Sequence, residues 1–348
     1  MSRSMLEAEI AAQPTAVRDL LEAEAHRVDR LAARWRARGD LTGVMLAARG
    51  TSDNAARYGQ YVLGAYNQLP VALATPSLFT RYQRPPRLDG LLVVAVSQSG
   101  RSPDVVGVLA EANRQGRPTL AITNDASSPL ALEADALIGL HAGDERAVAA
   151  TKTYTTSLGA IALLSVSLGD DDGRRAELAG VPDALEAAVA GALAAVDVPA
   201  WLRDAPACAV IGRGYNYATA HEIALKLKEL TGLAAEAYSS ADFLHGPVAA
   251  ISWDVPVLLI APTGVVFDDL AGLVDALRDR GASLVIVSDD AELLDRADLP
   301  LPVRAGTPEW LSPFPCVVPG QVLAWRLADA RGLDVDRPAG LQKVTETR

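Results

Sequence analysis

The stretch VVAVSQSGRSPDVVGVLAEANRQGRPTLAITND, residues 93–125, decides the fold. Four apolar residues, Val93 to Val96, read as a buried strand. They run into Ser97, Gln98, Ser99, Gly100 and Ser102, and then into Pro103 and Asp104, which suit the first turn of a helix. An amphipathic segment follows, Gly116 stops it, and the apolar run 118–122 reads as the next strand. Strand, turn, helix, glycine stop and strand make one unit of a doubly wound parallel sheet.

The unit recurs. VLLIAPTGVVFDDLAGLVDALRDRGASLVIVSDD, residues 257–290, sets Gly264 under Gly100, Asp268 under Asp104 and Gly281 under Gly116, at offsets of 164, 164 and 165. The second copy has APTG where the first has SQSG, so the hydroxyl cluster is a local specialisation of one copy rather than a requirement of the fold. Further apolar runs predict strands over 43–48, 91–96 and 135–140 in the first half, and over 208–212, 256–261, 283–287 and 299–303 in the second. Residues 1–38 have helical periodicity interrupted at Pro14 and read as a lead-in arm; 39–170 and 201–330 read as two tandem α/β domains, flavodoxin-like in winding. An Ala-rich bridging helix over 171–200 joins them, and 331–348 form a polar tail.

Composition excludes several functions. The 348 residues are 50% apolar, enough for two medium cores. A net charge of −11 repels phosphodiester backbones and anionic lipid, which argues against nucleic acid or a membrane surface as partner. No run approaches about 18 consecutive apolar residues, and the charged, helical N-terminal stretch is no signal segment. Two cysteines, Cys208 and Cys316, have neither metal-ligand nor disulfide spacing, so no metal is expected and a reducing cytoplasm fits best.

Open α/β sheets bind ligands at the carboxyl ends of their strands, where helix N-termini turn free N–H groups and partial positive charge outward. SQSG occupies that place, with an ordinary serine turn and helix cap as its plain structural alternative. RGTSDNAA, 49–56, is a second such turn with Thr51 and Ser52, and AVAATKTYTTS, 147–157, puts Thr151, Lys152, Thr153, Thr155 and Thr156 at a third helix start. Together they suggest one phosphate-sized anion pocket. Neither a P-loop nor a dinucleotide fingerprint is present, and no cofactor is expected. In ATAHEIALKLKELTG, 218–232, Glu222, Lys226 and Glu229 share one helix face; alone, this reads better as a solvated face with ordinary ion pairs than as a site. His245 lies in a tight LHGP turn, and Lys343 sits in the polar tail, whose plain reading is a frayed terminus.

These motifs in this order resemble the sugar isomerase (SIS) family across nearly the whole chain. The likeness is to the isomerase half of glutamine-dependent glucosamine-6-phosphate synthase and, in SQSGRSPD, VAATK and SSADFLHGP, more closely to stand-alone SIS-type glucosamine-6-phosphate deaminases. The synthase's glutaminase domain has no counterpart, and the chain begins where the isomerase half would begin. The resemblance implies two SIS domains that convert an amino-sugar phosphate or hexose 6-phosphate. Ser52, Ser97, Gln98, Ser99 and Ser102 would cradle the phosphate, Glu229 beside Lys226 would carry a proton between C1 and C2, and Lys343 would close over the sugar and reach its keto carbon. His245 would assist ring opening from a neighbouring subunit, implying a homodimer with shared sites. Gly50, Thr51, Val148, Ala149, Lys152 and Glu222 would complete the sugar's surroundings. Leu244 replaces the family's lysine before HGP, Ala150 a serine, and Arg101 and Ser102 a Glu–Thr pair; these departures bear on substrate and direction. A sensor that binds sugar phosphate without turnover is the other class, and it would not need Glu229, His245 and Lys343 together.

Overall fold

The computed structural model describes residues 4–343; residues 1–3 of the expected arm and 344–348 of the expected tail lie outside the described residues. Two five-stranded sheets form. The first contains β1 (Gly43–Ala47), β2 (Val71–Leu73), β3 (Leu91–Val96), β4 (Thr119–Thr123) and β5 (Ala136–Gly139) in the order β2-β1-β3-β4-β5. The second contains β6 (Ala207–Gly212), β7 (Ala234–Ser239), β8 (Val257–Ile260), β9 (Leu284–Ser288) and β10 (Leu299–Pro302) in the order β10-β9-β8-β6-β7. Counted within its own sheet, each order is the same flavodoxin-like one, and every pairing is parallel.

Parallel strands covered by helices on both faces need apolar side chains throughout. β1, β4, β8 and β9 accordingly have no exposed position. The two strands that the sequence reading missed, β2 and β7, are both sheet edges. β2 is three residues long, and β7, AAEAYS, alternates small and polar residues with only Ala235 fully buried. An edge strand has one neighbour and one ladder to satisfy, so it can form without a strong apolar run, although the other two edges, β5 and β10, keep theirs.

The chain divides into two compact units. One holds the first sheet and comprises Thr15–Glu145, Lys152–Gly180 and residues 342–343; the other holds the second sheet and comprises residues 4–14, Arg146–Thr151 and Val181–Leu341. In the first-sheet unit, Met45, Val93, Ala95, Val105, Val108, Leu109 and Leu130 build a core beneath the helix Pro103–Arg114. The helix Lys152–Gly169 is buried from Lys152 to Leu168 and packs on the helix Gly50–Asn67. In the second-sheet unit, Ile211, Val257, Leu259, Leu277, Leu284 and Ile286 form the corresponding core, and the helix Pro313–Ala330 packs on the helix Asn216–Thr231. The expected helix stops hold: Gly116 and Gly281 follow their helices with φ of 66° and 77°.

Two expectations change in detail. Pro14 does mark a break in the arm, which is two helices, Met5–Ala11 and Gln13–Arg38. The expected bridging helix over 171–200 is two shorter ones, Asp172–Ala179 and Val181–Ala195, because Pro182 has no N–H to continue a preceding helix and instead opens the next. By length and composition alone, Asp172–Ala195 would reach across a membrane, but it is broken at Gly180, and its second half buries Leu185, Ala188 and Val189. Both cysteines are free and buried, and burial pushes the Cys208 thiol up to about 12 and the Cys316 thiol higher still. Neither is a nucleophile at neutral pH.

Candidate active site

The first sheet reverses its winding between β1 and β3, which pair from Gly43↔Leu91 to Ala47↔Ala95. Their carboxyl ends therefore lie side by side at the topological switch point. β1 leads through Arg49 into the helix Gly50–Asn67, and β3 leads through Ser97–Ser102 into the helix Pro103–Arg114. Gly50, Thr51, Ser52 and the Ser97–Ser102 turn thus share one edge of one unit.

The hydroxyls are only partly used by the chain. Ser97 Oγ accepts the Gly100 N–H at 3.2 Å, and Ser99 Oγ accepts the Arg101 N–H at 3.4 Å. Ser102 stands at the helix N-cap without making the cap hydrogen bond. Among the described residues, the hydroxyls of Ser52 and Ser102 and the side-chain amide of Gln98 have no partner, so these groups remain available to a ligand. The turn itself is rigidly held. Gln98 O accepts from Thr123 Oγ1 at 3.1 Å and from the Asn124 N–H at 3.0 Å, and Gly100 has φ of 61° with Ser128 Oγ 2.1 Å from where a Cβ would stand. No other residue fits there.

Arg49 is the residue that motif reading passed over. Its guanidinium binds Asp104 Oδ2 through Nε at 2.7 Å and a terminal nitrogen at 2.6 Å, joining the turn after β1 to the first turn of the helix after β3. Asp104 is buried while Arg49 is half-exposed, so the cation stands at the rim of the cradle. Burial pushes the Asp53 carboxyl above its usual range, opposed by the nearby Arg57 and Arg49 guanidiniums.

The corresponding turn of the second copy is filled from within the chain. After β8, Asp289 accepts the Thr263 N–H at 2.6 Å and the Thr263 hydroxyl at 2.7 Å, and Glu309 Oε2 accepts the Val265 N–H at 2.9 Å. Two carboxylates from within the unit take the donors that a phosphate would need. That turn is already occupied by anions.

The third hydroxyl-rich helix start is a correction. Thr155 and Thr156 donate to the carbonyl of Lys152 at 3.1 and 3.0 Å, and Ser157 donates to that of Thr153 at 2.7 Å. Buried hydroxyls turn back onto their own helix. Lys152 is buried and donates to the Asp144 carbonyl at 2.7 Å. Glu145 caps this helix by accepting the Thr153 N–H at 3.1 Å and its hydroxyl at 2.7 Å, and it also accepts Lys343 Nζ at 2.9 Å. In the second-sheet unit, the Val148 N–H donates to the Asp336 carbonyl at 3.3 Å, and neighbouring Ala149 is buried.

The ionic face of the helix Asn216–Thr231 is not solvated. Lys226 and Glu222 are 1% and 0% exposed, with Lys226 Nζ 3.4 Å from Glu222 Oε1 and 2.5 Å from Glu229 Oε2. Glu229 retains 24% exposure, so the cluster presents one carboxylate outward and keeps its other two charges inside. His245 ends the short helix Ser240–Leu244, exposed and without a side-chain hydrogen bond among the described residues.

Comparison with known proteins gives the family. The SIS domain model matches residues 43–167 and 201–321. The chain belongs to the SIS domain family. Among curated relatives, the isomerizing glutamine–fructose-6-phosphate aminotransferases of Pyrococcus horikoshii and Thermococcus kodakarensis are 33% and 35% identical, each over 96% of this chain. The chain spans 56% of the length of either. The crystal structure of a candidate phosphosugar isomerase from Silicibacter pomeroyi DSS-3 superposes with a TM-score of 0.86 at 38% identity, over 96% of this chain and 100% of that one. The C-terminal domain of glucosamine-fructose-6-phosphate aminotransferase from Francisella tularensis follows at 0.85 and 27% identity, over 97% and 99%. The fold alone is shared with the Thermotoga maritima glucosamine-6-phosphate deaminase, with a TM-score of 0.78 and 20% identity over 99% and 100% of the chains.

Removing the cation from the buried cluster exposes its energetic role. Lys226→Met removes the buried cation that Glu222 and Glu229 share and should cost about 3–5 kcal/mol of unfolding free energy. The urea denaturation midpoint reads this loss, and adding Glu222→Gln to the same chain should recover much of it.

Proposed function

We propose that this SIS protein is an amino-sugar-phosphate isomerase and deaminase that converts glucosamine 6-phosphate and water to fructose 6-phosphate and ammonia in the cytoplasm. The observation that carries this reading is Glu229, a carboxylate held against a buried ammonium yet still open to a ligand. A phosphate-binding module has no use for such a cluster, whereas aldose–ketose conversion needs one base able to return the proton it removes. The phosphate would rest on Ser52, Ser97, Gln98, Ser99 and Ser102, with Arg49 at the rim, and the two helix N-termini would supply N–H donors and dipole.

The proposed sequence follows from these residue types. His245 assists opening of the sugar ring. Glu229 takes the proton from C2 of the open aldehyde and delivers it to C1, leaving a ketimine at C2. Water adds to that carbon, ammonia departs, and the ketose remains. Lys226 holds the Glu229 charge in place throughout, and Lys343 is proposed to cover the sugar and to offer its amine to the keto form. The exposed imidazole of His245, beside Leu244 at 55% exposure, supports a homodimer in which it serves a neighbour's site. Buried free thiols agree with a reducing cytoplasm.

A second reading, in which the same site adds ammonia to fructose 6-phosphate, is favoured by the aminotransferase relatives. It uses the same proton transfer in the opposite direction. Ammonia release assayed from purified protein across a panel of amino-sugar phosphates, with amination in the presence of ammonium salts as the second arm, separates the two. Binding of these sugars without turnover in either direction would leave only a sensor.

Three experiments test the assignment of roles. The Ser97→Ala, Ser99→Ala double variant should weaken sugar-phosphate binding by about two to four powers of ten, since each hydrogen bond to a charged group contributes about 1.5–3 kcal/mol. Calorimetric titration reads the affinity, and an unchanged Kd in the folded protein would sink the cradle. Glu229→Gln should lower kcat by about 10²–10⁴-fold and abolish deuterium incorporation from solvent while sparing phosphate affinity. Mixing inactive Glu229→Gln and His245→Ala proteins should restore activity through hybrid sites; no recovery despite demonstrated subunit exchange would mean that each site is built from one chain.

A further inference from the structure

Glu145 takes no part in the chemistry above, yet it is unusually placed. It belongs to the polar loop GDER, residues 143–146, after β5, and its side chain is fully buried at 0% exposure. Oε1 accepts the Thr153 N–H at 3.1 Å, and Oε2 accepts the Thr153 hydroxyl at 2.7 Å and Lys343 Nζ at 2.9 Å. The first two bonds fix the carboxylate at the positive end of the eighteen-residue helix Lys152–Gly169. The third brings in a lysine 198 residues away in sequence, with 22% of its side chain exposed. The carboxylate is therefore fixed, and the lysine, on its four-carbon stem, is the adjustable partner.

We propose that Glu145 is the positioning residue of Lys343, holding its ammonium at the start of this helix until a ligand displaces it. A buried carboxylate attracts a cation strongly, because burial removes the water that would otherwise solvate it. The pair therefore decides where the amine waits and ties it to the carboxylate there. Lys152, the other lysine beside the loop, donates instead to the Asp144 carbonyl, so its ammonium does not substitute for Lys343 in this geometry. The purpose of the latch rests on the proposed use of Lys343 against a sugar carbonyl; its existence does not.

The chain's four lysines make the latch measurable. Lys152 and Lys226 are buried, and Lys228 is exposed and serves as an internal reference. Reductive methylation of the whole protein at neutral pH without sugar, mapped by mass spectrometry, gives the rate at Lys343 relative to Lys228. A charge-assisted hydrogen bond should slow Lys343 by about tenfold or more, and Glu145→Gln should bring it within about threefold of Lys228. Thr153→Val removes a helix-start hydroxyl but leaves the ion pair, so protection should persist; this controls for simple loosening of the helix. Wild-type Lys343 reacting like Lys228, Glu145→Gln leaving it protected, or Thr153→Val exposing it as fully as Glu145→Gln would each overturn the proposal. These rates are read without turnover, so a protein that converts no amino-sugar phosphate loses the proposed activity while the rate ratio still decides the latch.

Discussion

Everything at the candidate site depends on one constraint, the uniform direction of the strands in each sheet. Parallel strands satisfy their backbone groups within the sheet and demand apolar cover on both faces, which leaves the strand ends as the place where polar chemistry can gather. Where the winding reverses, two neighbouring strands send their connections to opposite faces, and two helix N-termini open onto one crevice. The Arg49–Asp104 pair spans this crevice. With Arg49 half-exposed, such a pair contributes about 0–1 kcal/mol, against about 1.5–3 kcal/mol for a fully buried valine or leucine of β3. Its effect is therefore on geometry, aligning the two turns that the core has already brought together.

The buried ionic face of the helix Asn216–Thr231 obeys the opposite economy. Apolar residues at Glu222 and Lys226 would pack a helix of this kind with no desolvation cost, and a buried ion pair is at best neutral beside them. Their retention among Ile223, Ala224 and Leu227 makes sense as support for a third charge that reaches the surface. Lys226 faces both carboxylates, so the position of Glu229 is set by a cation that burial keeps from wandering.

Much of this architecture is legible in the sequence because duplication supplies its own control. The aligned glycines of the two copies predict strand, turn and helix stop alike, and the difference between SQSG and APTG singles out the candidate cradle. Edges are less legible, since β2 and β7 carry no long apolar run. Partners distant in sequence are also hidden. Nothing in GDER or in the tail announces that Glu145 and Lys343 meet, and Arg49 reads as an ordinary surface arginine until Asp104 is seen beside it. The threonines at 153, 155 and 156 misled for a simpler reason, because a hydroxyl looks the same in sequence whether it awaits a ligand or has turned back onto its own helix.

The carboxylates of Asp289 and Glu309 give the two halves different thermodynamic characters. In the second-sheet unit the turn after β8 is saturated by anions that are part of the chain, and its hydrogen bonds persist at any metabolite concentration. If the first-sheet turn binds phosphate as proposed, its donors are completed from solution, and a ligand that binds only the folded state stabilises it in proportion to the logarithm of its concentration. On that reading, ligand-linked stabilisation is confined to one of the two copies of the unit. The duplicated fold would then separate a part whose rigidity is constitutive from a part whose rigidity follows the supply of ligand.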